Sequence, residues 1–222
     1  MTWANAKIKR IYVGDKQVRP DKIPWYQEVE YIQSSNTQYI NTWVINQWTT
    51  LSVDMKFIIT QTNGSSNEDG LFWAKGSTNQ APTIYLPNSS TKSLNTWCGS
   101  STAYTVSSSF TLNTLHTLTV NYSSSWRTWV YDGTSFSSSS WISNSANNTS
   151  WYMCFFSDGS TPVAKCYMKL YSAKITVNWT LTRDFVPCYR KSDSVIWLYD
   201  TVNWVFYTNA GSWTFTKWPD VN

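Results

Sequence analysis

Glu28 and Glu30 stand two residues apart in Glu28-Val29-Glu30-Tyr31-Ile32, a run whose alternation predicts a strand with both carboxylates on one face. A retaining glycosidase needs such a pair, separated by about 5–5.5 Å. No denser acidic cluster surrounds them, and two charges at the entrance to a sheet equally suit an edge that discourages strand pairing. The single histidine, His116, lies in the alternating run Leu115-His116-Thr117-Leu118, and the chain has no Gly-x-Ser-x-Gly elbow. It is expected to face solvent and not to act as a base. Cys98, Cys154, Cys166 and Cys188 are widely spaced, with no Cys-x-x-Cys or Cys/His zinc pattern. Buried free thiols are expected, and one disulfide stays open for an extracellular protein. Arg183-Asp184 and Arg190-Lys191-Ser192-Asp193 read as structural pairs and turn residues. The expectation is a protein that is not an enzyme and needs no cofactor. Calcium is the one ion the loops could take, through Asn67-Glu68-Asp69 or Asp158, although turn formation accounts for the same residues.

The elements that must position these groups are all strands. Alternating β-branched and aromatic runs occur at 28–32, 38–42, 51–59, 71–74, 83–86, 116–122, 127–131, 135–136 and 153–156. They continue through 166–177, 181–186, 195–199, 205–207 and 213–216, with tight turns between. No helical period is present. About a dozen strands at this spacing predict an all-β antiparallel jelly-roll sandwich. Residues 88–104, rich in Ser, Thr and Asn, give no clear assignment. Ile8 to Val13, Gly14-Asp15 and Gln17 to Pro20 predict a small N-terminal β-hairpin, so residues 1–24 form a hairpin and linker and 25–222 the sandwich domain.

Several turns carry the wrong residue. Asn178-Trp179 and Asn203-Trp204 put Trp where a two-residue hairpin wants Gly, because a type I′ turn needs φ > 0 at both central positions. Thr42-Trp43, Ser212-Trp213 and Lys217-Trp218-Pro219 repeat the pattern. The chain has 15 Trp and only 8 Gly, about half the usual ~7% Gly. UGA is read as Gly in some bacterial lineages and as Trp in others, and a gene translated with the wrong table would look like this. Genuine Trp in a core or on a carbohydrate-binding face is the alternative. No Trp is therefore counted as a sugar-stacking platform.

Bulk properties narrow the classes. Charged residues make up 14% of 222 residues and the net charge is +4. The cations are scattered, whereas nucleic-acid binding wants a concentrated basic stripe. No apolar run approaches the ~20 residues of a membrane span, and no secretory signal opens the chain.

Four stretches together resemble the concanavalin A-like, laminin-G-like jelly rolls of phage and prophage tail- or capsid-associated proteins. They are Tyr26 to Trp43, Lys169 to Ile175, Leu181 to Asp193 and Val205 to Gly211. In that family the positions matching Trp43, Trp179, Trp197, Trp204, Trp213 and Trp218 are typically Gly. The opening Ile11 to Pro20 looks like an element that often precedes such domains. The resemblance implies a virion or extracellular recognition module that engages a cell-surface glycan or protein in multimeric display. The hairpin would dock other virion proteins. A purely structural virion protein is the rival expectation. Ligand contacts are expected from loops 62–70, 93–104 and 143–160, with Asn67, Asp69, Tyr104, Asn147, Asn148 and Asp158 as candidates.

Overall fold

The computed structural model describes residues 12–13, 16–17, 25–62, 68–74, 81–87, 93–98, 103–108, 110–123, 126–138, 148–157 and 164–221. Those residues form strands joined by turns, with no α-helix among them. Near the N-terminus, β1 (Tyr12–Val13) pairs with β2 (Lys16–Gln17) in the register Tyr12↔Gln17, as the hairpin expectation requires.

The sandwich has two antiparallel sheets. The larger has ten strands. It takes in β3 (Tyr26–Gln33), β5 (Thr50–Gln61), β10 (His116–Ser123), β11 (Arg127–Tyr131), β12 (Thr134–Ser138), β14 (Tyr167–Val177), β15 (Thr180–Arg190), β16 (Ile196–Asp200), β17 (Val205–Thr208) and β18 (Thr216–Asp220). Their order is β12-β11-β10-β5-β14-β3-β15-β16-β17, with β18 paired to β3. The smaller sheet runs β4 (Ile40–Gln47), β13 (Asn148–Phe155), β6 (Asp69–Ala74), β7 (Thr83–Leu86), β8 (Leu94–Trp97) and β9 (Tyr104–Ser107).

Alternation builds the core. Leu51, Val53, Met55, Phe57 and Ile59 point inward from β5, and Leu118, Val120 and Tyr122 from β10. The period of two puts every second side chain on the buried face. Within the smaller sheet Phe155 meets Phe72 at 5.2 Å, and across the gap it meets Phe185 edge-on at 6.0 Å. Polar ties also cross it. Thr96 Oγ1 lies 2.6 Å from the Tyr122 hydroxyl, and Arg183 Nε donates to the Thr42 carbonyl at 3.1 Å.

Several expectations are corrected. Strand β8 falls inside the stretch with no sequence assignment and β9 begins at its last residue; the short Ser/Thr/Asn-rich runs mask their alternation. The final strand is β18, later than the predicted 213–216, and Trp218 lies within it. Glu28 and Glu30 are both exposed on β3, but β3 is interior to its sheet, flanked by β14, β15 and β18. They are not edge charges.

The tryptophan turns are of different kinds. Asn178 (φ 50°) and Trp179 (φ 65°) form a two-residue turn closed by the pair Val177↔Thr180. Asp132 (φ 46°) and Gly133 (φ 81°) form the same turn between Tyr131 and Thr134. Asn203-Trp204 is different. The pair Asp200↔Val205 leaves a four-residue loop, 201–204, and of Asn203 and Trp204 only Trp204 has positive φ (63°). Trp43 (φ 54°) sits in a bulge of β4, where residues 42–44 oppose Met153 alone between the pairs Asn41↔Cys154 and Ile45↔Tyr152. Trp197, Trp213 and Trp218 are not at positive φ. Trp197 packs in β16 edge-on to Phe206 at 4.8 Å.

Candidate functional site

The six-stranded sheet has one face in the core and one turned away from it. Ile84 and Leu86 of β7 belong to the core cluster, so Thr83 and Tyr85 lie on the other face. Register then lays out two transverse rows. One runs Gly70, Tyr85, Asn95 and Thr105 across β6, β7, β8 and β9. The next runs Asn41, Cys154, Trp73, Thr83 and Trp97 across β4, β13, β6, β7 and β8.

The first row is polar, buried at Gly70 and Tyr85 and reaching solvent at Asn95 and Thr105. Burial pushes the Tyr85 hydroxyl up, the adjacent Asn95 side chain opposes this, and the Glu68 charge adds a further upward push. Desolvation raises the Glu68 carboxyl as well. Asn95 Oδ1 is sealed from solvent with no hydrogen-bond partner among the described residues. A buried amide oxygen without a donor costs about 1–3 kcal/mol. Ala164 covers one end, its carbonyl 3.0 Å from where a Cβ on Gly70 would stand. Thr105 is exposed at the other. An acceptor, a phenol and a carboxyl at the rim of an aromatic surface can hydrogen-bond neutral hydroxyl-bearing ligands.

Of the sequence-predicted residues, the three that are described, Asp69, Tyr104 and Asn148, lie apart from one another. Asn67, Asn147 and Asp158 lie outside the described residues. Asp69 begins β6 and is buried, opposite Leu86. Asn148 pairs with Gln47 at the far end of the sheet. Tyr104, half-buried at the start of the edge strand β9, pairs with Thr96, one step from the Asn95–Thr105 pair. Among the described residues no group of three or more His, Cys, Asp or Glu side chains could hold a metal. Tyr85 and Asn95 escaped sequence reasoning because only the register shows them side by side. The one available signal was the alternation of Thr83-Ile84-Tyr85-Leu86.

His116 is corrected too. It is buried, with Nδ1 at 2.7 Å from Asp132 Oδ2 and 2.8 Å from the Tyr131 hydroxyl, and Nε2 at 2.9 Å from the Thr111 carbonyl. It ties β10 to the 132–133 turn. Arg183 faces Asp200 at 3.6 Å, Lys174 pairs with Asp184 at 3.2 Å, and Arg190 pairs with Asp193. The pairs are structural, as expected, although Arg183 and Asp184 each pair across to another strand and not with one another. All four cysteines are buried and free.

No protein-family model and no curated protein matches the chain. Solved structures do. A Bacteroides ovatus protein assigned to carbohydrate binding superposes with a TM-score of 0.57 at 8% identity, over 88% of this chain and 62% of that one. This chain therefore spans less than two thirds of that relative. The CBM40 module of the Ruminococcus gnavus IT-sialidase, solved with α2,3-sialyllactose, gives 0.51 at 10% identity, over 70% of this chain and 92% of the module. At such identities the likeness is one of fold. The chain is an antiparallel β-sandwich of the jelly-roll kind seen in carbohydrate-binding domains.

Proposed function

We propose that this protein is a non-enzymatic recognition module that binds glycan at the outer face of its six-stranded sheet. The carrying observation is the unsatisfied Asn95 Oδ1 beside the Tyr85 hydroxyl and Glu68. A sugar hydroxyl donating to Oδ1 would remove the cost of its burial. Likeness in fold to the two carbohydrate-related structures supports the reading. A virion setting follows from the resemblance of residues 26–43, 169–175, 181–193 and 205–211 to phage and prophage jelly rolls. Multimeric display would turn weak single sites into useful avidity.

A glycan array probed with a multimerised sample tests this. The expected result is a defined set of bound glycans, with signal lost in Asn95→Ala and reduced in Tyr85→Phe while both variants keep the wild-type melting temperature. Silence across the array from a folded, multimerised sample refutes the reading and leaves the structural role in a virion.

A further inference from the structure

Arg127 opens β11 and is fully buried. A guanidinium stays charged in proteins, and burying it costs several kcal/mol unless the charge is paired. Arg127 makes no ion pair among the described residues. Its Nη2 donates to the Cys98 carbonyl at 2.7 Å. Its guanidinium lies 4.8 Å from the Tyr104 ring centroid and 5.6 Å from that of Tyr122. Nε and Nη1 are sealed from solvent with no hydrogen-bond partner among the described residues. Ring faces and one carbonyl offset part of the charge, and an acceptor that takes Nε–H or Nη1–H together with the second Nη2 hydrogen is held bidentately.

We propose that Arg127 anchors an anion subsite that takes the carboxylate of an acidic sugar, with Tyr104 as its outer wall. A carboxylate matches the planar fork of Arg and supplies the missing countercharge, which a water molecule cannot. Tyr104 is half-buried at the start of an edge strand, and of the two rings against the guanidinium it is the one that reaches solvent. The anion part stands on Arg127 alone, while the sugar part rests on the glycan-binding reading.

Thermal melts with galacturonate, galactose, acetate and sulfate test it. Galacturonate is expected to raise the melting temperature saturably and to shift the Arg127 Nε–H resonance of the wild-type chain, with galactose silent. Arg127→Met should abolish the melting response. The resonance serves if that variant fails to fold. Galacturonate no better than galactose overturns the proposal. Acetate equal to galacturonate overturns its sugar part, and sulfate equal to both overturns the carboxylate assignment. Neutral glycans bound on the array with no galacturonate response sink this inference alone. A galacturonate response with a silent array sinks the sheet-face reading alone.

A separate observation carries a second inference. Trp43, Trp179 and Trp204 all hold positive φ, and Trp43 and Trp179 are 59% and 78% exposed. Neither of these two is held there by burial. We infer that these three positions are glycines in the protein as its host makes it, encoded by UGA. The codons and the peptide masses of the natural protein decide it. UGA at all three with glycine masses is expected, and UGG or a tryptophan mass overturns it.

Discussion

Gly133 and Trp179 occupy the same position in the same kind of turn, at φ 81° and 65°. Nothing lies within 4 Å of where a Cβ on Gly133 would stand, so the contrast between them is purely conformational. An L-residue in the left-handed region pays about 1–2 kcal/mol that glycine does not. Trp179→Gly is therefore expected to raise stability by about 1 kcal/mol in urea denaturation, and Gly133→Ala to lower it by a similar ~1 kcal/mol. An unchanged midpoint for Trp179→Gly would mean the turn is not strained. This much was legible from Asn178-Trp179 alone. That Trp43 sits in a bulge and Trp204 in a four-residue loop was not, because both depend on which residues a partner strand pairs.

At the scale of elements, the loop between β17 and β18 is locked by a close approach. A Cβ on Gly211 would stand 1.9 Å from the Thr37 carbonyl oxygen, and the Gly211 amide donates to Asn209 Oδ1 at 2.9 Å. The Ala210 amide donates to the Tyr39 carbonyl at 2.9 Å, and Gln38 Nε2 to the Thr214 carbonyl at 2.7 Å. Gly211→Ala must push these segments apart, costing about 1–3 kcal/mol as overpacking does. Hydrogen exchange should show the loss first at the Ala210 amide. Protection there equal to wild type would contradict the approach. The sequence marked Gly211 as part of a motif, but its contact 174 residues earlier in the chain belongs to the tertiary fold.

Across the whole molecule, every cysteine is buried, Cys98 and Cys166 within the core cluster and Cys154 and Cys188 outside it. Burial pushes the Cys98 and Cys188 thiols up to about 12, with Glu28 adding to the effect at Cys188 and Arg127 opposing it at Cys98. Cys166 is raised as well, by burial and by the Asp69 charge. The thiolate is the reactive form. The native protein at pH 8 is expected to leave an aromatic disulfide reagent unreacted, and to release four thiol equivalents once unfolded in urea. Rapid native reaction would show that the sandwich opens.

Fold class and most strand positions were determined by the sequence itself, since alternation of apolar and polar residues is a local property that the period-two pleat reads directly. The left-handed demand at 178–179 was local in the same way. Only the tertiary structure decided the site. Tyr85 and Asn95 are ten residues apart and face each other through strand register. Tyr104 and Arg127 meet between the two sheets, while Asp69 and Asn148 end up at opposite ends of one sheet. Register and the pairing of sheets are settled by long-range burial, which no short window of sequence contains.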